Sequence, residues 1–169
     1  VYKRQRMIRN QGMEKRYANE YVGLNNRMTD IHASIGRVQL TKLAGWTKTR
    51  QENAAFLSEN ITEAVTPAVP EGYVHVYHQY TIRLEGATGE ERDRFVTALK
   101  EEHQVGSGVY YPIPNHRLPS LAPYAPGLEL PNTEKVAAEC VSLPVHPSLS
   151  QADLERIAEA VNKTAKAGA

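Results

Sequence analysis

The stretch Thr29-Asp30-Ile31-His32-Ala33-Ser34-Ile35-Gly36-Arg37-Val38-Gln39-Leu40-Thr41-Lys42-Leu43-Ala44-Gly45-Trp46 decides how the rest of the chain is read. Ile31, Ile35 and Val38 recur at helical spacing, followed by Leu40, Leu43 and Trp46. Thr29 can cap the first free amides, and Asp30 suits the positive end of a helix. No proline interrupts residues 29–60, and the only glycines there are Gly36 and Gly45. The pattern predicts one long helix, bent near Gly45, of the kind that connects two parts of a molecule. Trp46 reads as a core anchor.

Downstream, Pro67, Pro70 and Gly72 mark a turn. Residues 73–84 then alternate, which predicts a strand with Val74, Val76, His78, Tyr80, Ile82 and Leu84 on one face. Thr88 and Glu91 form a capping box for a helix that buries Phe95, Val96 and Leu99. Residues 106–111 read as a short strand entered through glycines, after which Pro112, Pro114 and Pro119 force an extended path. Pro131 opens a further helix, residues 141–145 read as a strand at an edge because of Pro144, and Ser150 with Asp153 caps a last helix through Leu154, Ile157 and Val161. The order predicts an α/β fold, or more narrowly an α+β small domain, in which a long linking helix precedes a short sheet covered by helices. The expected divisions are residues 1–28, 29–64 and 65–169.

Upstream of the long helix, residues 2–9 read as the end of a helix, stopped by Asn10-Gln11-Gly12. A helix that ends so early implies a preceding segment. Residues 13–26 show no clean period and read as a loop serving a site or an interface. The final residues, 165–169, are small and expected to fray.

Composition narrows the function classes. A chain of 169 residues, 41% hydrophobic and 23% charged, can bury a core without disulfides or metals. The net charge of +1 gives no global field for nucleic acid. Lys3, Arg4, Arg6, Arg9, Lys15 and Arg16 cluster near the start, as a solvated helix face or as a phosphate-facing surface. The lone cysteine, Cys140, sits among Val136, Ala137, Ala138 and Val141 and reads as buried packing. No run approaches the ~20 apolar residues of a membrane helix, and no secretory signal is visible. The expectation is a cytoplasmic protein with neither membrane nor nucleic-acid partner.

Most chemical motifs are missing. His75 and His78, three apart on a predicted strand, would face opposite ways, so no metal site is expected. His32 reads as a satisfied helix residue. There is no nucleophile elbow, phosphate-binding loop or dinucleotide fingerprint. Two constellations remain. Asn25 and Arg27 lie just before the long helix, where an anion could meet amide donors, a guanidinium and the positive helix end, or where they could simply form a cap and a surface ion pair. Tyr110 and Tyr111 end a strand, and a proline-stiffened loop follows with His116 and Arg117, as a binding loop or an ordinary surface turn.

These two constellations carry a family resemblance. Gly23-Leu24-Asn25-Asn26-Arg27-Met28-Thr29-Asp30-Ile31-His32-Ala33-Ser34, with Gln39-Leu40 after it, resembles the G-x-N-x-R-[ML]-x-[DE]-[IL]-x-A-A signature of the DegT/DnrJ/StrS sugar aminotransferases. Arg50 after the tryptophan, Arg92-Asp93, Tyr111-Pro112-Ile113-Pro114-Asn115-His116 and Ser142-Leu143-Pro144-Val145-His146-Pro147 resemble further motifs of that family, in register along nearly the whole chain.

The resemblance implies the C-terminal domain of an aspartate-aminotransferase-like fold of type I, with pyridoxal 5'-phosphate as cofactor. It implies transfer of an amino group from glutamate to a nucleotide-linked keto sugar, at a site shared across a homodimer. Asn25 would reach the cofactor phosphate of the partner subunit, with Arg27 beside it. Tyr110, Tyr111 and His116 would face the sugar nucleotide. The family usually has histidine where Tyr110 stands. A free phenol, with a pKa of ~10, cannot replace imidazole as a base near neutrality, although it can hydrogen-bond a sugar.

Transamination also needs a lysine to hold the cofactor. None of the eight lysines here has the expected setting, so no catalytic residue is assigned and the lysine is expected upstream of Val1. Two alternatives stay open at this point. One is a free-standing dimerisation or regulatory domain. The other is the same portion of a related sugar dehydratase, in which that lysine is replaced.

Overall fold

The computed structural model describes residues 1–167. It divides into two compact units, Val1–Ala44 and Gly45–Ala169.

In the first unit, α1 (Tyr2–Ile8) is stopped as the sequence predicts. Gln11 and Gly12 adopt φ of 59° and 76°, and the Gly12 amide turns back to Met7 O at 2.8 Å. The expected loop over residues 13–26 contains a small antiparallel ribbon, β1 (Met13–Lys15) with β2 (Ala18–Asn19). The chain then crosses back over the end of α1. Leu24 N donates to Ile8 O at 2.7 Å, Gln11 N to Leu24 O at 2.9 Å and Asn26 N to Arg9 O at 2.8 Å. The crossing is tight enough to require glycine, because a Cβ on Gly23 would lie 2.1 Å from Gly12 N.

Next comes α2 (Asp30–Asn60), a single helix that runs through both Gly36 and Gly45. Thr29 starts it: its carbonyl accepts from Ala33 N at 2.9 Å and its Oγ1 from His32 N at 3.3 Å. His32 is satisfied by the same hydroxyl, with Nδ1 at 2.8 Å. The periodic apolar residues Ile31, Ile35, Val38, Leu40 and Leu43 are all exposed on this chain, so within it their spacing marks a helix and not a core face. Trp46 is 39% exposed, against the expectation of a core anchor.

In the second unit the core joins Ala54 and Leu57 of α2, and Ile61 just past its end, to β3 (Tyr80–Arg83), α3 (Gly89–His103), β4 (Cys140–Leu143) and α5 (Gln151–Ala167). β3 and β4 are antiparallel in the register Tyr80↔Leu143 and Ile82↔Val141, which sets those four side chains on one face. Phe95 and Leu99 of α3, and Leu154, Ile157 and Val161 of α5, pack with them in the core, as expected; Val96 lies at its margin. Cys140 is buried as the sequence implied.

Single bridges extend the pair on both sides, Val65↔Arg83 and Gly108↔Ser142. β4 is therefore flanked twice and is not an edge strand; Pro144 falls just beyond it and removes no ladder bond. The predicted strand over residues 73–84 shrinks to β3. Tyr77 has φ of 45°, its amide donates to His75 Nδ1, and the carbonyls of His75 and Tyr77 accept from Gln51 and Arg50 of α2. With those groups engaged, no ladder forms there and Val74 is 80% exposed. The expected strand over residues 106–111 is likewise reduced to the bridge at Gly108.

Caps set the helix starts. Thr88 N donates to Glu91 Oε2 at 2.7 Å and Glu91 N to Thr88 Oγ1 at 3.3 Å. Ser150 and Asp153 repeat the device at α5, with 3.0 and 3.2 Å. α4 (Pro131–Glu139) begins on proline, as predicted. Of the tail expected to fray, residues 165–167 are helical and 168–169 lie outside the described residues. Two buried charges tie α4 in place. Arg92 donates to the carbonyls of Ala137 and Ala138, at the negative end of the helix, and pairs with Asp93 at 2.8 Å. Glu139, 1% exposed, accepts from Arg83 Nη1 at 2.6 Å and Gly86 N at 2.9 Å.

Candidate functional site

Asn25 sits on the segment sewn to the end of α1, where it bridges Asn10. Arg27 Nε donates to Asn25 Oδ1 at 2.9 Å. The carbonyl end of the carboxamide is thus occupied, which leaves Nδ2, a pure donor, to meet an acceptor. The His32 and Ala33 amides at the start of α2 already bond Thr29, and Asp30 occupies the first turn. Donors that can serve an anion there include the side chains of Asn25 and Arg27. An uncharged amide donor beside a guanidinium fits a phosphate oxygen. Part of the basic cluster is engaged elsewhere in this unit: Lys3 pairs with Glu14, and the Arg4 and Arg16 guanidinium groups lie over the Tyr21 and Tyr17 rings, each at 4.8 Å.

In the second unit, Gly108 exchanges two backbone bonds with Ser142, at 3.0 and 2.7 Å, and so launches the tyrosine loop from the sheet. The Tyr110 ring folds over Gly108, where a Cβ would stand 2.9 Å from three of its atoms. Tyr110 and Tyr111 meet edge to face at 6.1 Å, and both are exposed. His116 differs. Its side chain is only 6% exposed, and Nε2 lies 2.9 Å from Glu134 Oε1. Arg117 reaches the same oxygen through Nε at 3.1 Å and Nη2 at 2.7 Å. The His116 bond first, and the Arg117 bonds next, pull the Glu134 carboxyl down to about 2.

The structure thus joins Asn25 to Arg27, and Tyr110 to Tyr111, and turns His116 onto Glu134. Reading the sequence missed Glu134. Its place in the first turn of a helix opening on proline was a signal for a carboxylate, but a partner 18 residues away in the chain was not. Lys48, Lys135, Lys163 and Lys166 are paired with Glu52, Glu139, Glu159 and Glu63. Among the described residues no three His, Cys, Asp or Glu side chains gather as a metal site, and no helix is long and apolar enough to cross a membrane.

Comparison with known proteins gives the family. The sequence profile of the DegT/DnrJ/EryC1/StrS aminotransferase family matches residues 1–162. The chain is 36% identical over 163 residues to a protein of Geobacillus stearothermophilus described as a pleiotropic regulatory protein, covering 92% of this chain and 42% of the relative. It is 34% identical over 161 residues to the UDP-N-acetyl-3-dehydro-alpha-D-glucosamine 3-aminotransferase of Acidithiobacillus ferrooxidans, covering 94% and 42%. Among solved structures, S. venezuelae DesV in complex with a ketimine intermediate matches with a TM-score of 0.86 at 29% identity, over 98% of this chain and 44% of that one. The chain spans well under half the length of each. The match across residues 1–162, with the fold that accompanies it, means that the chain belongs to the DegT/DnrJ/EryC1/StrS aminotransferase family.

Proposed function

We propose that this chain is the C-terminal portion of a pyridoxal-phosphate-dependent aminotransferase that moves an amino group from glutamate to a keto sugar carried on a nucleotide. The cofactor is pyridoxal phosphate, in keeping with the family and with relatives solved in their PLP and PMP forms. When bound, it supplies the electron sink that lets an amino group be detached from one carbon and delivered to another. This chain's share is binding and orientation. Asn25 would donate a hydrogen bond from Nδ2 to the cofactor phosphate of the partner subunit in a homodimer, with Arg27 beside it as a second, charged donor. Tyr110 and Tyr111 offer hydroxyls and ring faces to the sugar nucleotide, with His116 on the same loop. The lysine that holds the cofactor belongs to the part of the enzyme preceding Val1. The enzyme works in the cytoplasm; the lone cysteine of this stretch calls for no oxidising compartment.

The observation that carries this reading is the Arg27–Asn25 hydrogen bond, inside the segment that most resembles the family signature. Relatives named for UDP- and dTDP-linked sugars support the substrate class. The test is amino transfer from glutamate by the enzyme extended upstream, offered keto sugars with and without a nucleotide. Turnover confined to nucleotide-linked sugars, with KM raised about tenfold by Tyr111→Ala, is the expected result. Equal turnover of unlinked keto compounds, or loss of water without amino transfer, contradicts it.

A further inference from the structure

We propose that His116 is a positioning residue and not a substrate contact: its imidazole and the Arg117 guanidinium, gathered on one oxygen of Glu134, pin the proline-rich loop so that Tyr110 and Tyr111 stand open. This rests on the reading above only for what the tyrosines touch.

The three side chains of the loop are used in opposite ways. Tyr110 and Tyr111 are 54% and 73% exposed, whereas the His116 side chain is 6% exposed. A group that meets a ligand must present a polar atom to it; Nε2 of His116 is held by Glu134 at 2.9 Å, and a side chain only 6% exposed gives the other ring nitrogen little surface to offer. Around it the loop has little of its own to hold it. Pro112, Pro114 and Pro119 lack amide donors, and the regular structure is two short 3-10 turns, Asn115–Arg117 and Ala122–Tyr124. Within the first turn the bonds are local, Arg117 N to Pro114 O at 2.9 Å and Leu118 N to Asn115 O at 3.2 Å. Glu134, on the first turn of α4, supplies a long-range tie from a rigid element. Two charge-assisted bonds from Arg117 and one from His116 make this a strong clamp for an otherwise weakly bonded segment.

The experiment has two arms. On the 169-residue chain, amide hydrogen exchange is followed for Glu134→Ala, Glu134→Gln and His116→Gln. Exchange across residues 109–118 is expected to rise about tenfold in Glu134→Ala, less in Glu134→Gln, with α3 and α5 unchanged. His116→Gln can still donate to Glu134 and is expected to stay within about threefold of the parent. In the enzyme extended upstream, His116→Ala and Glu134→Ala are each expected to raise KM for the nucleotide sugar about tenfold and to leave kcat within about threefold, with the double variant no worse than either single one. Loop exchange unaltered in Glu134→Ala overturns the proposal. So does a kcat loss in His116→Ala that Glu134→Ala does not share. Because the exchange arm needs no substrate, its failure is distinct from failure of the substrate assignment.

Discussion

Arg27 Nε donates to Asn25 Oδ1 at 2.9 Å, and this one bond fixes which end of the Asn25 carboxamide is free to bind an anion. Lysine can replace the charge but not the planar fork. In the enzyme extended upstream, Arg27→Lys is therefore expected to weaken pyridoxal phosphate binding about tenfold, and Arg27→Leu more. Fluorescence titration of the cofactor checks this. Unchanged affinity in Arg27→Lys means that charge alone matters.

Gly23 tests why the signature starts with glycine. Its Cβ would meet Gly12 N at 2.1 Å, Gln11 C at 2.6 Å and Ile8 O at 2.7 Å, all backbone atoms that cannot swing aside. Gly23→Ala should destabilise the crossing by about 2 kcal/mol or more. Hydrogen exchange over residues 8–26 should rise while α5 stays protected. Parent-like exchange in that segment would show that the crossing can widen at no cost.

Acid should loosen particular joints first. The folded pKa of Glu134 is about 2, below its ordinary 4.5, so its contribution is fully present above 4.5 and is lost as the pH falls toward 2. Glu91 is lowered by the Thr88 amide and hydroxyl, and Asp153 by the Ser150 hydroxyl and amide, so both caps weaken in the same direction. Amide exchange measured stepwise from pH 6 to about pH 3 should show residues 112–118 and the starts of α3 and α5 opening before Leu99 and Val141. Simultaneous opening everywhere would contradict this order.

Glu139 is the buried charge whose removal should cost most. Burial pushes its carboxyl up, but the Gly86 amide, Arg83 and Lys135 outweigh that and leave it lowered. Glu139→Ala leaves the Gly86 amide and Arg83 without their acceptor, at a cost of about 3 kcal/mol; Glu139→Gln should cost about half as much. Urea denaturation measures both, and a loss below about 0.5 kcal/mol would mean that water replaces the carboxylate.

The parts of the fold legible in the sequence were those fixed by local chemistry. Thr88 with Glu91, Ser150 with Asp153 and Pro131 announced three helix starts, and the spacing of Leu154, Ile157 and Val161 announced the core face of α5. What alternation could not show is where residues 73–79 spend their backbone bonds, because Arg50 and Gln51 lie more than 20 residues away. Pro144 suggested an edge, yet the bond that flanks β4 comes from Gly108, far upstream. At the candidate site the motif spacing brought Asn25 and Arg27 into view together. Glu134 stayed hidden because nothing local ties it to His116.

The most direct test of the central claim is cofactor binding by this chain alone and by the chain extended upstream, followed by the visible absorbance of bound pyridoxal phosphate and its response to glutamate. The account predicts that only the extended enzyme binds the cofactor in a glutamate-responsive form, and that Asn25→Ala lowers its affinity about tenfold or more. Stoichiometric, glutamate-responsive binding by the 169-residue chain would place the cofactor lysine among residues 1–169 and contradict the division of labour proposed here.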